Sequence, residues 1–448
     1  MRYFSILFIF MAFLVVSCSK ESDEKEITIH PQPNPPVVGE DKVLPYPLDS
    51  SFAVVSLPSA ESERVRLDQQ FKAADFIPTG WFAQEGKDIV VNLKRTAGLN
   101  YPTLIIGTYN QHGLGDSYVQ NVYLTPGNNT IKVQKSGLIY IRYEGVEGQH
   151  KATVKFLSGI VPAAFYVAGK TTKEQWRGML NTYTGSTEAV LFGGKVIIVV
   201  NRRLALDNVS QDQELLLKNA NAIWNYEDEI SGLDNSSEIH KPNVHNHLMT
   251  ESSNNEYYMA AYQYGTFYNN TTAIQVLVKP DEMNTWGPWH ELGHHHQQRS
   301  YLWNNMTEVS VNIYSLYVEK KAGANNRFKD EGTWKKIKSY LNQSPSLKNY
   351  DKTDLDLFVK LGLFMQLYLA YGDDFFIKLH RDTREQIPNT ATDLSKKRYF
   401  MLKACEISGH DLTQFFKDWG MVGVESVYSE INALHLPLPS VNPSTLGE

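Results

Sequence analysis

Trp286-Gly287-Pro288-Trp289-His290-Glu291-Leu292-Gly293-His294 sets two histidines four residues apart with a glutamate between them. On a helix this spacing puts both imidazoles on one face, a turn apart, where a single metal ion can take both. Glu291 then projects close enough to touch a water on that ion without being forced to bind it. Pro288 suits the first turn of such a helix and Arg299 its last. Trp289, Leu292 and His296 fall on a neighbouring face that can pack inward. His295 and His296 lie off the His290/His294 face and read as packing or ligand-supporting groups.

A catalytic zinc ion needs three protein ligands and an open fourth position. The chain has two cysteines, Cys18 and Cys405, in unrelated contexts, which excludes a disulfide framework and a cysteine-built metal site. Any metal must therefore be held by histidines and carboxylates. Glu308 is the candidate third ligand, at the start of a second helical pattern whose apolar stripe is Val309, Ile313, Leu316 and Tyr317. Taken alone, Asn305 and Glu308 read better as an N-cap and its N3 carboxylate. The histidines upstream favour the ligand. Asn312, one turn after Glu308, is either an orienting group or a helix-surface asparagine.

Around this segment the chain has 448 residues, 42% hydrophobic and 21% charged, which predicts a globular protein of two or three domains. A formal net charge of −6 argues against nucleic acid as a partner. Arg2 followed by the apolar run from Phe4 to Val16 has the size of a signal-peptide core and is too short to span a bilayer. The run ends in Leu14-Val15-Val16-Ser17-Cys18, which resembles a bacterial lipobox and implies cleavage before Cys18 with lipid on its thiol. Residues 1–17 are thus expected to be a lipoprotein signal peptide. Residues 18–50 are expected to be an acidic and Pro-rich tether, similar to that of exported surface lipoproteins. The implied location is the bacterial outer membrane, facing outward, with the membrane contacted through the lipid alone.

Residues 51–159 alternate with period two. Asp88–Leu93, Thr103–Tyr109, Asn121–Leu124, Thr130–Val133, Leu138–Tyr143 and Ala152–Leu157 read as strands separated by turn residues, which predicts a β-sandwich. Residues 160–304 read as mixed α/β. Here a helix is expected over Lys173–Thr182, two strands about Gly193-Gly194, a helix opened by Ser210 and Gln213, and a strand over Ala273–Lys279. Residues 305–440 read as helical, with Cys405 on a buried face. Tyr257, Tyr258, Tyr262, Tyr264, Phe267 and Tyr268 suit either a substrate cleft or a core.

The segment from Trp286 to His294, with Glu308-Val309-Ser310-Val311-Asn312-Ile313-Tyr314-Ser315-Leu316, resembles the M-60-like metallopeptidases, relatives of viral enhancin and of mucin-targeting enzymes. Pro78-Thr79-Gly80-Trp81-Phe82 and Gly409-His410-Asp411-Leu412 extend the resemblance to nearly the whole folded chain. It implies a multidomain α+β protein: an N-terminal β-sandwich, then a gluzincin-type zinc metallopeptidase domain with a mostly helical C-terminal subdomain. It further implies that His290, His294 and Glu308 hold one zinc ion and that Glu291 is the catalytic acid/base. The substrate it implies is a peptide or glycoprotein, of the O-glycosylated, mucin-like kind. The donor for the oxyanion is left open among His245, His247, His380, His410 and the tyrosines. Two other functions are compatible with these residues: a non-catalytic surface lipoprotein that binds glycoprotein or glycan, and an aminopeptidase, which would need an amine-binding acid.

Overall fold

The computed structural model describes residues 50–447, Leu114 and Asn325 excepted. The signal peptide, nearly all of the tether, and Cys18 lie outside the described residues. Three sheets stack in sequence. The outer one is four-stranded and antiparallel, in the order Ser51–Val55, Lys151–Ser158, Asp88–Ala97, Gly127–Lys132. The middle one is five-stranded and antiparallel, in the order Gln120–Tyr123, Thr103–Ile106, Gly137–Arg142, Phe76–Ala83, Ile160–Pro162. Ile89, Val91, Val154 and Phe156 of the outer sheet meet Leu104, Ile106, Ile139 and Ile141 of the middle one, and this shared core makes the sandwich.

The middle sheet is buried on both faces. Ile105, Leu138 and Tyr140, alternating with the residues just named, turn the other way onto Val190, Ile197, Val199, Leu248 and Phe267. These belong to a mixed six-stranded sheet, ordered Ala164–Val167, Glu188–Gly193, Val196–Asn201, His247–Ser252, Gly265–Asn269, Met259–Tyr262. Burial on both faces explains why Leu138-Ile139-Tyr140-Ile141 and Val196-Ile197-Ile198-Val199-Val200 are continuous apolar runs rather than alternating ones. The far face of this sheet carries the helices Lys173–Thr182, Gln213–Ile230 and Trp286–Gly293, packed through Ile198, Val200, Met249, Trp224 and Leu292. Beyond them the helices Asn312–Ala322, Thr333–Leu341, Leu357–Tyr371, Asp373–Gln386 and Asp393–Ser408 enclose an aromatic-rich core, in which Cys405 is fully buried. No helix among the described residues is long and apolar enough to cross a membrane.

Five local expectations are corrected. Ala273–Lys279 is not a strand: Ile274–Leu277 forms a 3-10 turn whose Val276 and Leu277 are buried, and so short an apolar run carries no period to tell the two apart. The helix expected from Ser210 opens two residues later, because the Asp212 carboxylate accepts from Leu215 N at 3.0 Å and is itself a strong cap. Arg299 does not end the motif helix. That helix stops at Gly293 with His294 as its cap, and Arg299 sits in a separate 3-10 turn. Asn305 is not a cap either: it lies in the left-handed region (φ 63°), and the next helix starts at Thr307. The strand expected over Thr103–Tyr109 stops at Ile106, before Gly107 at φ 102°.

Candidate metal centre

The motif helix Trp286–Gly293 buries Trp289 and Leu292 in the core beneath the six-stranded sheet, which leaves His290 and His294 on the opposite side. Thr307–Ser310 and Asn312–Ala322 run on from each other through Val311, whose backbone stays helical (φ −56°, ψ −33°). They approach the motif helix closely where it has no side chain. A Cβ at Gly293 would lie 3.2 Å from Tyr314 Cβ, Val311 Cγ2 and Val311 O. This close packing brings Glu308 to the histidines.

Glu308 Oε2 lies 2.9 Å from His290 Nε2 and 3.6 Å from His294 Nε2. The two rings are nearly perpendicular, with centroids 4.8 Å apart. Among the described residues these three form the group of histidine, cysteine, aspartate or glutamate side chains placed to share a metal ion. Their far sides are fixed by amides. His290 Nδ1 meets Asn312 Oδ1 at 2.8 Å, and His294 Nδ1 meets Gln297 Oε1 at 3.1 Å. An amide oxygen only accepts, so each Nδ1 carries a hydrogen and each Nε2 faces the Glu308 carboxylate. Two imidazoles and one carboxylate facing one another favour positive charge among them, as a proton or as a metal ion, and this donor set suits zinc.

The electrostatics agree. Burial opposes charge on His294, but the Glu308 carboxylate outweighs it and raises the pKa to about 9. Glu308 also pays for burial, yet both histidines hold its carboxyl well below the usual carboxylate range. Positive charge is thus favoured between the three donors. His294 is 5% exposed, whereas the Glu308 side chain keeps 47%, so the site is closed beneath and open on one side. Glu291 is buried beside it, and burial raises its pKa, opposed by His290 and His294.

The adjoining histidines are committed elsewhere. His295 Nε2 contacts Gly265 O at 3.1 Å, and burial lowers its pKa to about 3. His296 sits between Glu227 and Asp228, each 3.0 Å from one ring nitrogen, at full burial. Of the other histidines considered as oxyanion donors, His245 contacts Pro58 O, His247 contacts Thr266, His380 contacts Tyr314 and Ile230 O, and His410 stacks on Tyr371 with its Nδ1 unpartnered. Of the aromatic cluster, Tyr264, Phe267 and Tyr268 are core, while Tyr258 and Tyr262 are exposed.

Tyr262 belongs to the edge strand of the six-stranded sheet, which lies against the motif helix: a Cβ at Gly287 would come within 2.7 Å of Met259 Sδ. The hairpin after this strand places Tyr264 at φ 76°, a region that non-glycine residues seldom adopt. Lys72 holds it on both sides, accepting from Tyr264 N at 2.7 Å and donating its own N–H to Gln263 Oε1 at 2.9 Å. Sequence patterning missed Gln297, the Lys72 grip and the buried Glu227–His296–Asp228 set. The last two join residues far apart in the chain, and Gln297, three residues after His294, shows its role only through its bonds to Thr307 and Ser310.

Comparison with known proteins adds the following. The profile of peptidase M60, enhancin and enhancin-like proteins matches residues 159–420, and that of the N-terminal domain of M60-like peptidases matches residues 58–156. A functionally unknown conserved protein from Bacillus anthracis str. Ames superposes with a TM-score of 0.78 at 27% identity, covering 89% of this chain and 81% of that one. The ZmpB metallopeptidase from Clostridium perfringens shares the fold, with a TM-score of 0.77 at 19% identity over 89% of this chain and 82% of that one. So does the M60 catalytic domain of Clostridium perfringens ZmpC, solved in complex with the sialyl T antigen, with a TM-score of 0.74 at 20% identity over 89% and 82% of the two chains. TRPM8 channel-associated factor 3 from Rattus norvegicus is 23% identical over 361 residues, which are 77% of this chain and 38% of that protein. The chain thus spans well under half the length of that relative.

Proposed function

The chain belongs to the family of peptidase M60, enhancin and enhancin-like proteins, and from that footing we propose that it is a zinc endopeptidase acting on O-glycosylated, mucin-like proteins. The observation that carries the proposal is the convergence of His290, His294 and Glu308 on one point with Glu291 buried beside it. His290 Nε2, His294 Nε2 and Glu308 would hold one zinc ion per chain. When bound, that ion supplies Lewis-acid polarisation of a carbonyl and a lowered pKa for water.

The chain's own residues do the rest. Glu291 accepts the proton of the attacking water at its carboxylate and then delivers it to the leaving amine. Its burial favours the protonated form, which suits the second half of that exchange. The edge strand Met259–Tyr262, packed on the motif helix, offers its outer side to an extended peptide, which would bind as an added strand. Tyr258, just before that strand, and Tyr262, at its end, are exposed and suit a sugar face.

The glycan half of the proposal draws support from the ZmpC complex with the sialyl T antigen and from a related metallopeptidase bound to the Tn antigen. Digestion of a defined O-glycopeptide and its bare counterpart, read by mass spectrometry, tests it. Faster cleavage beside the glycosylated Ser or Thr is expected. Equal turnover would reject the glycan preference and leave the peptidase standing, and no cleavage of either would reject the peptidase. The location is proposed with it: the lipobox-like run before Cys18 supports a lipid-anchored protein on the bacterial outer membrane, facing outward. Cys18→Ala should then leave the membrane fraction.

A further inference from the structure

Three residues after the second histidine, Gln297 is 1% exposed and makes three side-chain hydrogen bonds. Its Oε1 accepts from His294 Nδ1 at 3.1 Å. Its Nε2 donates to the Thr307 carbonyl at 2.8 Å and to Ser310 Oγ at 2.7 Å. Ser310 Oγ gives its own hydrogen to the Met306 carbonyl at 3.2 Å, so its lone pairs are free to receive. Thr307 and Ser310 bracket Glu308 in the chain. One carboxamide therefore ties the second histidine to the turn that bears the carboxylate. It cannot be turned about, because its oxygen would then face the Thr307 carbonyl oxygen.

The backbone of this segment is gripped from the N-terminal region. Gln70 N donates to Gln297 O at 3.2 Å, Arg299 N to Asp68 O at 2.9 Å, and Ser300 N to Asp68 Oδ2 at 2.9 Å. Gln69 and Gln298 form an antiparallel bridge between these bonds. The chain leaving His294 is thus held like a strand from outside the peptidase region.

We propose that Gln297 is a positioning residue for the metal centre: it sets His294 Nε2 and the Glu308 carboxylate at one separation, while residues 68–70 fix Gln297 from the other side. The inference rests on the zinc reading given above. Because amides that support a metal ligand typically change affinity by about 10–100-fold when lost, Gln297→Leu should weaken zinc binding by that factor. Gln297→Glu keeps an acceptor for His294 and loses the donors to Thr307 and Ser310, so it should recover part of the loss. Ser310→Ala removes one of two acceptors and should cost less than Gln297→Leu.

The experiment is competition of the full chain with a chromogenic zinc chelator, with thermal unfolding of each metal-free variant alongside. The expected order of zinc affinity is wild type, Ser310→Ala, Gln297→Glu, Gln297→Leu. Unchanged affinity in Gln297→Leu overturns the inference. So does an equal loss in the Leu and Glu variants that parallels their metal-free stability, since that marks a merely structural role. A wild-type chain that takes up no zinc overturns the zinc reading itself, and the same titration distinguishes that failure from the other two.

Discussion

Asn312 holds His290 in place: its Oδ1 accepts from His290 Nδ1 at 2.8 Å, and its Nδ2 donates to the Glu308 carbonyl at 3.0 Å. Because the amide nitrogen is tied to a carbonyl, the oxygen must face the imidazole, and Nε2 is presented to the donor set. Asn312→Leu frees the ring. Its activity on a peptide substrate should fall by about 10–100-fold, with zinc lost at a lower chelator concentration than wild type. Retention of full activity and full zinc would remove Asn312 from the site.

Glu291 and Glu308 should separate cleanly. Glu291→Gln keeps the three donors and should retain one zinc per chain by elemental analysis. Its turnover should drop by at least about 100-fold as the proton carrier is lost. Glu308→Ala should lose the metal itself, because two histidines remain where three ligands are needed. Full activity in Glu291→Gln would exclude the proposed proton transfer.

Glu188 should make a contribution to stability that is lost as pH rises. It lies between the middle and six-stranded sheets, and burial pushes its pKa from 4.5 to about 8, against the Leu138 backbone N–H that favours its charge. A carboxyl whose folded pKa is raised contributes fully below the unfolded value and loses that contribution as pH climbs to the folded one. The window is therefore about 4.5 to 8. Glu188→Gln stays neutral throughout, so its melting temperature should match wild type near pH 4.5 and exceed it by pH 8. Parallel curves for the two proteins would rule out Glu188 as the source.

The parts of the site that are local in sequence were legible. His290 and Glu291 lie on one short helix that His294 caps, and Glu308 stands in the first turn of a helix further along the chain. The sandwich was legible too, since strands such as Asp88–Ala97 and Lys151–Ser158 keep one face on the core and the other toward solvent. Legibility failed where an apolar run is too short to show a period. Ile274–Leu277 is short and mostly apolar, and its residues suit a strand as well as the 3-10 turn they form. It failed again where a neighbour distant in the chain decides the outcome. Arg299 would have continued the motif helix, but residues 68–70 take the backbone bonds of 297–300 instead. Asp212 displaced Ser210 as a cap because both are good caps and spacing alone does not rank them.

Gly293 is the contact point between the motif helix and the helices that carry Glu308. Gly293→Ala improves helix propensity by up to about 1 kcal/mol. It also forces a methyl group to 3.2 Å from three atoms of Val311 and Tyr314, and overpacking of this kind costs about 1–3 kcal/mol. The metal-free protein should melt at a lower temperature, and zinc affinity should fall as Glu308 is pushed outward. A variant that is more stable than wild type and binds zinc equally would show that the helices yield freely.

Lys72 grips the hairpin at Gln263 and Tyr264, and that grip is one of the contacts holding the strained backbone of Tyr264. Heredity is constrained accordingly. A recombination event that exchanged the front of this gene for that of a relative would deliver a peptidase region with its hairpin unsupported, unless the stretch encoding residues 68–75 matched its new neighbours. The two regions are thus expected to have descended as a pair. New modules in this lineage should be found added at the ends of the pair rather than inserted between its members.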